Sequence, residues 1–298
     1  MTDNEFMLFD RLTKIRATIE KYGEENFYLS FSGGKDSTVL HELLDLAIPG
    51  NTIPRVYANT GIELNLVRQF VQDKAEQDQR IVIIKPEKAI VPMLKEKGYP
   101  FKSKEHSFYL ETYQRNKAYT KTVNRYLYPS EERKSFGCPQ ILRYQFTPDF
   151  DLKVSDKCCN ELKKKPLKQW QKENNKPYSI VGLRQAEGGQ RNNTKCLAFN
   201  GNKLKAFHPL AIVGDDFIEW FIEEHNVELS AVYYPPYNFK RTGCKGCPFA
   251  LHLQEELDTL QEFFPNERKQ CENIWQPVYD EYRRINYRLK DGGQLKWF

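Results

Sequence analysis

No stretch of this sequence approaches the roughly 20 consecutive apolar residues that a membrane-spanning helix requires, so no span is expected. The opening residues, MTDNEFMLFD, lack the basic cluster followed by an apolar run that marks an export signal, and a cytoplasmic location is the expectation. No segment repeats, and none has the low complexity of a flexible linker. A strong charge of one sign is also missing. Lys plus Arg number 45 against 40 for Asp plus Glu, a net +5, which suits an anionic small molecule and points only weakly to nucleic acid. Cysteine is present seven times, an odd number in a chain without an export signal, which argues against a disulfide framework.

Apolar residues make up 40% of the chain and aromatics 13%, enough for a true core. Residues 5–22 carry Phe9, Leu12, Ile15 and Ile19 at helical spacing, which predicts an amphipathic helix. Short apolar runs at 27–31, 54–58 and 81–84 predict strands, with helices expected after residue 37 and over 63–78. "YSIVGLR" (Tyr178 to Arg184) is the candidate for a return to the same sheet, and "DDFIEWFIEEHNV" reads as another amphipathic helix. Strands alternating with helices predict an α/β fold with a doubly wound parallel sheet, whose ligands bind beyond the carboxyl ends of the strands. The middle, from about 95 to 150, is rich in Lys, Arg and Tyr and reads as a basic helical insertion or lid. The expected organisation is a nucleotide-binding α/β domain over 1–250 containing that insertion, then a helical extension over 251–298 broken at Pro265 and Pro277.

The first chemical signal is Ser32-Gly33-Gly34-Lys35-Asp36-Ser37, between an apolar strand and a helix. Helix N-termini present unpaired N–H groups and the positive end of a dipole, so an anion is favoured there. Adjacent glycines let the backbone turn and approach a phosphate, while Ser32, Ser37 and Lys35 add hydroxyls and a cation. Neither G-x-x-x-x-G-K-[ST] nor G-x-G-x-x-G fits.

S-G-G-x-D-S after a strand resembles the PP-loop of the adenine nucleotide α-hydrolase-like superfamily. That resemblance implies that Ser32 to Ser37 line a triphosphate site carrying ATP and Mg²⁺, with Lys35 and Asp36 among the catalytic residues. It further implies cleavage between the α and β phosphates, pyrophosphate release and an adenylated substrate that a sulfur or nitrogen nucleophile then attacks. Asn59, Thr60 and Gly61, ending the second strand, are where a nucleoside would rest.

The second signal pairs "SDKCCNELKKKPL" with "KRTGCKGCPF". A C-x-x-C alone suits zinc, redox or iron–sulfur chemistry. Four thiols from two distant segments, Cys158, Cys159, Cys244 and Cys247, suit a Cys₄ metal site. Vicinal cysteines cannot both face one partner in a regular helix, so a local distortion is expected if both are ligands. The pattern over residues 25–255 resembles the phosphoadenosine phosphosulfate reductase family. It is similar to the iron–sulfur adenylyl-sulfate reductases and to the DndC-like sulfurtransferases, which implies a [4Fe–4S] cluster, with zinc the alternative. The resemblance is imperfect. Sulfonucleotide reductases have a degraded phosphate loop and a catalytic cysteine in a C-terminal E-C-G-L-H motif; here the loop is complete, the tail reads "KDGGQLKWF", and Cys271 lacks that context. The resulting expectation is an ATP-dependent sulfurtransferase, with a thiol-dependent reductase or a non-catalytic nucleotide-binding subunit of a defence or modification complex as alternatives.

Other residues carry weaker signals. "VGLRQAEGGQR" matches the family's G-x-R-x-x-E…R segment, making Arg184 and Arg191 candidates to neutralise an oxyanion and Glu187 one to orient them. Lys163, Lys164 and Lys165 would place cations beside a cluster. Cys138, Cys196 and His208 are expected to be structural. Lys117, Lys121, Arg125, Arg133 and Lys134 among Tyr119, Tyr126 and Tyr128 leave a nucleic-acid substrate open. A cysteine desulfurase or other sulfur donor is the partner a sulfurtransferase would need.

Overall fold

The computed structural model describes residues 2–290, apart from the side chains of Arg133, Lys134, Ser135 and Gln190. Residues 291–298 of the tail, and the Arg133 and Lys134 side chains of the basic segment, lie outside the described residues. In chain order the elements begin with α1 (Asp3–Tyr22), β1 (Phe27–Phe31), α2 (Lys35–Ala47), β2 (Arg55–Ala58), α3 (Asn65–Gln77) and β3 (Ile81–Ile84). Then come α4 (Ile90–Lys97), α5 (Lys104–Asn116), α6 (Lys121–Leu127), α7 (Lys165–Glu173), β4 (Tyr178–Ile180), β5 (Leu197–Asn200) and β6 (Lys203–Phe207). The last are α8 (Asp215–Glu224), α9 (Leu253–Phe263) and α10 (Pro265–Arg284).

These elements form two compact units. One comprises Met1–Asn59, Glu63–Pro86 and Lys165–Thr242; the other comprises Thr60–Ile62, Glu87–Lys164 and Gly243–Phe298. The basic insertion and the C-terminal helices thus belong to one unit, together with Cys158, Cys159, Cys244 and Cys247.

The first unit holds a six-stranded sheet in the order β3-β2-β1-β4-β6-β5. All neighbours are parallel except the β5–β6 edge pair. β2 is buried at every position, as a central strand covered on both faces must be. Phe27, Leu29 and Phe31 of β1 meet Val39, Leu40, Leu43 and Leu44 of α2 and Phe217 and Phe221 of α8 in one core. Each such side chain contributes about 1.5–3 kcal/mol on burial. α1 adds Ile15 and Ile19, but Phe9, expected on the same stripe, is 63% exposed.

Beneath this core lies a polar network. Arg55, fully buried on β2, donates to Asp45 (2.7 Å), to Asn51 (2.7 Å) and to His41 Nδ1 (3.1 Å). Arg80 clasps Asp45 and Asp78 at 2.7 and 2.9 Å. Burial and the nearby Arg55 charge push the His41 pKa down to about 4, so its ring is neutral and accepts from Arg55.

The edge hairpin β5–β6 has no counterpart in the strands expected from the sequence, although its two-residue loop Gly201-Asn202, with Gly201 at φ 58°, is a hairpin signal. Its two strands are short and half exposed, so neither shows a long apolar run.

The second unit is helical among the described residues, with one isolated bridge between Tyr99 and Val154. Ser103 and Thr120 cap α5 and α6 through their hydroxyls. His106 is fully buried there, between Tyr126 Oη (2.9 Å) and Gln145 Oε1 (2.7 Å), and burial pushes its pKa down to about 3. The break expected at Pro265 separates α9 from α10, whereas Pro277 lies inside an unbroken α10. Pro277 faces solvent, while Cys271, Trp275, Val278, Tyr279 and Tyr282 form a continuous buried stripe that holds the helix across it.

Candidate functional site

In the sheet order, β1 stands between β2, which follows it, and β4, which arrives much later in the chain. That is a topological switch point, where open α/β sheets bind ligands. The segments leaving β1 and β4 line a cleft of about 640 Å³, which also takes in Asp215, Tyr233 and Lys240 to Thr242.

The glycine loop leads directly into α2, with Gly34 as its N-cap. Gly33 has φ 68°, and a Cβ there would stand 3.2 Å from Val67 Cγ1 and collide with Val71, so the loop can lie on α3 only as glycine. The two serines close the loop on itself. Ser37 Oγ donates to the Gly34 carbonyl (2.9 Å), and Ser32 Oγ lies 2.9 Å from Ser37 Oγ. The Lys35 N–H donates to Tyr233 Oη (2.9 Å), which pairs with Thr242 Oγ1 (2.8 Å). The Lys35 ammonium lies 5.9 Å from the Tyr233 ring centre, within cation–π range, and makes no ion pair among the described residues.

Arg184, which the sequence marks as an oxyanion receptor, is buried and already engaged. Its Nε meets Asp36 Oδ1 at 3.0 Å, its Nη2 meets Asp215 Oδ1 at 2.7 Å, and its Nη1 reaches the Val213 carbonyl at 3.4 Å. Its direct effect is to hold Asp36. Burial raises the Asp36 pKa, with Arg184 opposing. Arg191 pairs with Glu187, and Arg241 pairs with the same carboxylate. Glu187 therefore orients two arginines, both of which line the cleft. Asn59 donates its N–H to Ile84 as an extension of β2, while Thr60 and Gly61 belong to the second unit, and none of the three lines this cleft. Tyr233, Thr242 and Asp215 were not singled out from the sequence. Tyr233 lies 198 residues from Lys35, and nothing local announces the contact.

In the second unit, Cys158 is buried and Cys159, Cys244 and Cys247 are partly buried. Cys158 Sγ donates to Cys159 Sγ at 4.0 Å. That bond, then burial, raises the Cys158 pKa, and the same bond lowers that of Cys159, aided by Lys104, Lys163 and Lys164. Cys158 also feels the charges of Cys244 and Cys247, so the four thiols lie within electrostatic reach of one another. Cys158 and Cys159 are themselves in helical conformation, and immediately after them the chain widens into a π turn, Asn160–Lys164.

Among the described residues, no three Cys, His, Asp or Glu side chains converge closely enough to hold one metal ion. Zinc requires its ligands at about 2.0–2.3 Å from a single point. In a four-iron cluster the thiolates are distributed over the irons, so they need not meet at one point. In number and chemistry four thiols suit either a four-iron cluster or a Cys₄ zinc site.

The remaining thiols are closed off. Burial pushes Cys138 up to about 11 and Cys271, fully buried, up to about 12, and it also raises Cys196. His208 is structural, its Nδ1 2.8 Å from the Lys195 carbonyl. Of the aromatics in the basic segment, Tyr126 is interior, stacked on Tyr109 at 4.4 Å, so it is not available to a base; Tyr119 and Tyr128 are exposed.

Residues 26–136 and 130–250 match the family model of the phosphoadenosine phosphosulfate reductase domain. No curated relative matches the sequence. Among solved structures, the chain is similar to a phosphoadenylyl-sulfate reductase from Candida auris in a phosphate complex, at 11% identity and a TM-score of 0.40, covering 74% of this chain and 88% of that one. It is also similar to the U34-tRNA thiolase NcsA from Methanococcus maripaludis with its [4Fe-4S] cluster, at 16% identity and 0.41, covering 98% and 84%. An NH3-dependent NAD synthetase from Campylobacter jejuni stands at 12% and 0.40, covering 95% and 97%. Likeness at that level decides nothing about chemistry.

Proposed function

The chain belongs to the phosphoadenosine phosphosulfate reductase domain family, and from that premise we propose that it is an ATP-using enzyme that adenylates a substrate for sulfur transfer, with a [4Fe–4S] cluster on Cys158, Cys159, Cys244 and Cys247. The observation that carries this reading is the complete S-G-G-K-D-S loop, set at the N-terminus of α2 beside the switch point of the sheet. A triphosphate there meets the helix dipole and the Lys35 ammonium, which makes no ion pair among the described residues. Asp36, fixed by Arg184, would be the carboxylate neighbour of Mg²⁺ carried on the triphosphate. A substrate oxygen attacks the α-phosphorus, the α–β bond breaks, and pyrophosphate leaves with its charge met by Lys35, Arg191 and Arg241. A sulfur nucleophile from a desulfurase or another donor then displaces AMP. A cluster, when bound, supplies a thiophilic metal surface for that sulfur.

The family favours a second reading, a thiol-dependent sulfonucleotide reductase. Cys271 counts against it, because a fully buried thiol held near pKa 12 is a poor nucleophile at neutral pH. The deciding experiment incubates anaerobically purified protein with ATP, Mg²⁺ and candidate nucleic acids and assays AMP and pyrophosphate. Absence of ATP binding and of both products under every condition would overturn the proposal. Sulfite release from adenylyl sulfate with thioredoxin would establish the reductase instead.

A further inference from the structure

Between Cys244 and Cys247 the chain is held by its backbone. The Lys245 N–H donates to the Ile62 carbonyl (2.8 Å), and the Lys245 carbonyl accepts from Trp275 Nε1 (3.2 Å). The Gly246 N–H donates to Glu256 Oε1 (2.8 Å), and the Gly246 carbonyl accepts from the Tyr279 hydroxyl. Just past Cys247, the Pro248 carbonyl accepts from Tyr282 Oη (2.8 Å) and Arg288 Nη1 (2.6 Å). Apart from the Lys245 N–H, main-chain groups that a surface loop leaves to water are here bonded to side chains of α9, α10 and the residues just after it.

Two further contacts anchor the loop. The Lys245 ammonium is 1% exposed and lies between Glu267 Oε2 (2.6 Å) and Gln270 Oε1 (2.8 Å). Gly246 has φ 59°, and a Cβ there would stand 2.9 Å from Cys271 Sγ. Cys271, a fully buried thiol, is thus the floor on which the loop rests. A buried ion pair is weak evidence for stability, since an apolar pair of similar volume often does as well. What this pair and the bonds around it supply is geometry, as outer partners do around metal ligands.

We propose that α9 and α10 form a preassembled clamp for the Cys244–Cys247 loop, in which Lys245, Glu256, Glu267, Trp275 and Tyr279 are positioning residues that hold the loop in its ligand-presenting shape before any inorganic group binds. The clamp rests on the reading of Cys244 and Cys247 as ligands, but its test does not require a bound cluster. In metal-free, full-length protein, the alkylation rate of each cysteine by iodoacetamide is followed by peptide mass spectrometry. A Glu256→Met/Tyr279→Phe variant loses both side-chain bonds to Gly246. Alkylation of Cys244 and Cys247 is expected to rise about 30-fold, at roughly 1 kcal/mol for each of the two hydrogen bonds. Cys138 is expected to stay protected, which reports an intact fold, and Glu256→Gln, which keeps the acceptor, is expected to behave as the parent. Unchanged alkylation in a folded double variant overturns the clamp. If the double variant unfolds, Tyr279→Phe alone, which removes one hydroxyl and no carbon, decides by the same readout. Reconstitution with ferrous iron and sulfide is run alongside. A parent protein that takes up no iron removes the ligand reading, while the alkylation rates still judge the clamp.

Discussion

The two glycine-bearing loops of this molecule are held in opposite ways. The Ser32–Ser37 loop closes on itself through its own hydroxyls and reaches beyond itself through the Tyr233 phenol and the Asp36–Arg184 pair, while its lysine lies over that ring with no ion pair among the described residues. The Cys244–Cys247 loop has its lysine buried in an ion pair and its peptide groups bonded to neighbouring side chains. The difference follows from what each is proposed to hold. A nucleotide arrives and leaves at each turnover, so its loop must exchange partners cheaply. A thiolate-bound centre stays, so its loop gains from being fixed beforehand.

The sharpest way to break this comparison is at the buried pair. Glu267→Gln leaves the Lys245 charge uncompensated and is expected to lower stability by about 3–5 kcal/mol, read by denaturant unfolding. Lys245→Met/Glu267→Leu, which removes both charges, is expected to regain most of that loss; equal destabilisation by the two variants would mean that packing, not charge, is at stake.

A second effect separates scaffold from loops. His41 is neutral in the fold with its pKa depressed to about 4, so the unfolded chain binds the extra proton first. Stability is therefore full above pH 6.5 and declines as pH falls from about 6.5 to 4, by about 3 kcal/mol at 1.36 kcal/mol per unit. His106, depressed to about 3, adds a loss of the same sign that continues to lower pH. A His41→Gln variant is expected to show a flatter thermal-melt profile across that window; an unchanged profile would remove His41 as its source.

Smaller effects are expected at the phosphate loop. Lys35→Met is expected to weaken ATP binding by about 10–100-fold, the 1.5–3 kcal/mol of a charged hydrogen bond, as measured by calorimetry. Tyr233→Phe frees the Lys35 amide and is expected to tighten binding by less than tenfold. Weaker binding would instead show that the phenol is part of the ligand's cradle.

Much of the sheet could be read in advance. β1, β2 and β3 are short apolar runs between turn residues, and α1 and α3 announce themselves by period. The hairpin β5–β6 went unread because its strands are short and half exposed, and Pro277 misled because the packing of α10 outweighs one lost hydrogen bond. At the cleft the loop and Arg184 were legible, but Arg184's engagement with Asp36 and Asp215 was not, because it joins segments 148 and 31 residues apart.

What the sequence by itself determined is the local chemistry: adjacent glycines before a helix, a cation and hydroxyls at fixed offsets, and thiols spaced C-C and C-x-x-C. Those depend on covalent neighbours alone. Only the tertiary structure decided which of these groups remain available. It engaged Arg184, buried Cys271 as a floor for Gly246 and left Lys35 with no ion pair among the described residues. Burial and pairing are set by residues far along the chain, and they decide whether a charge or a thiol can act.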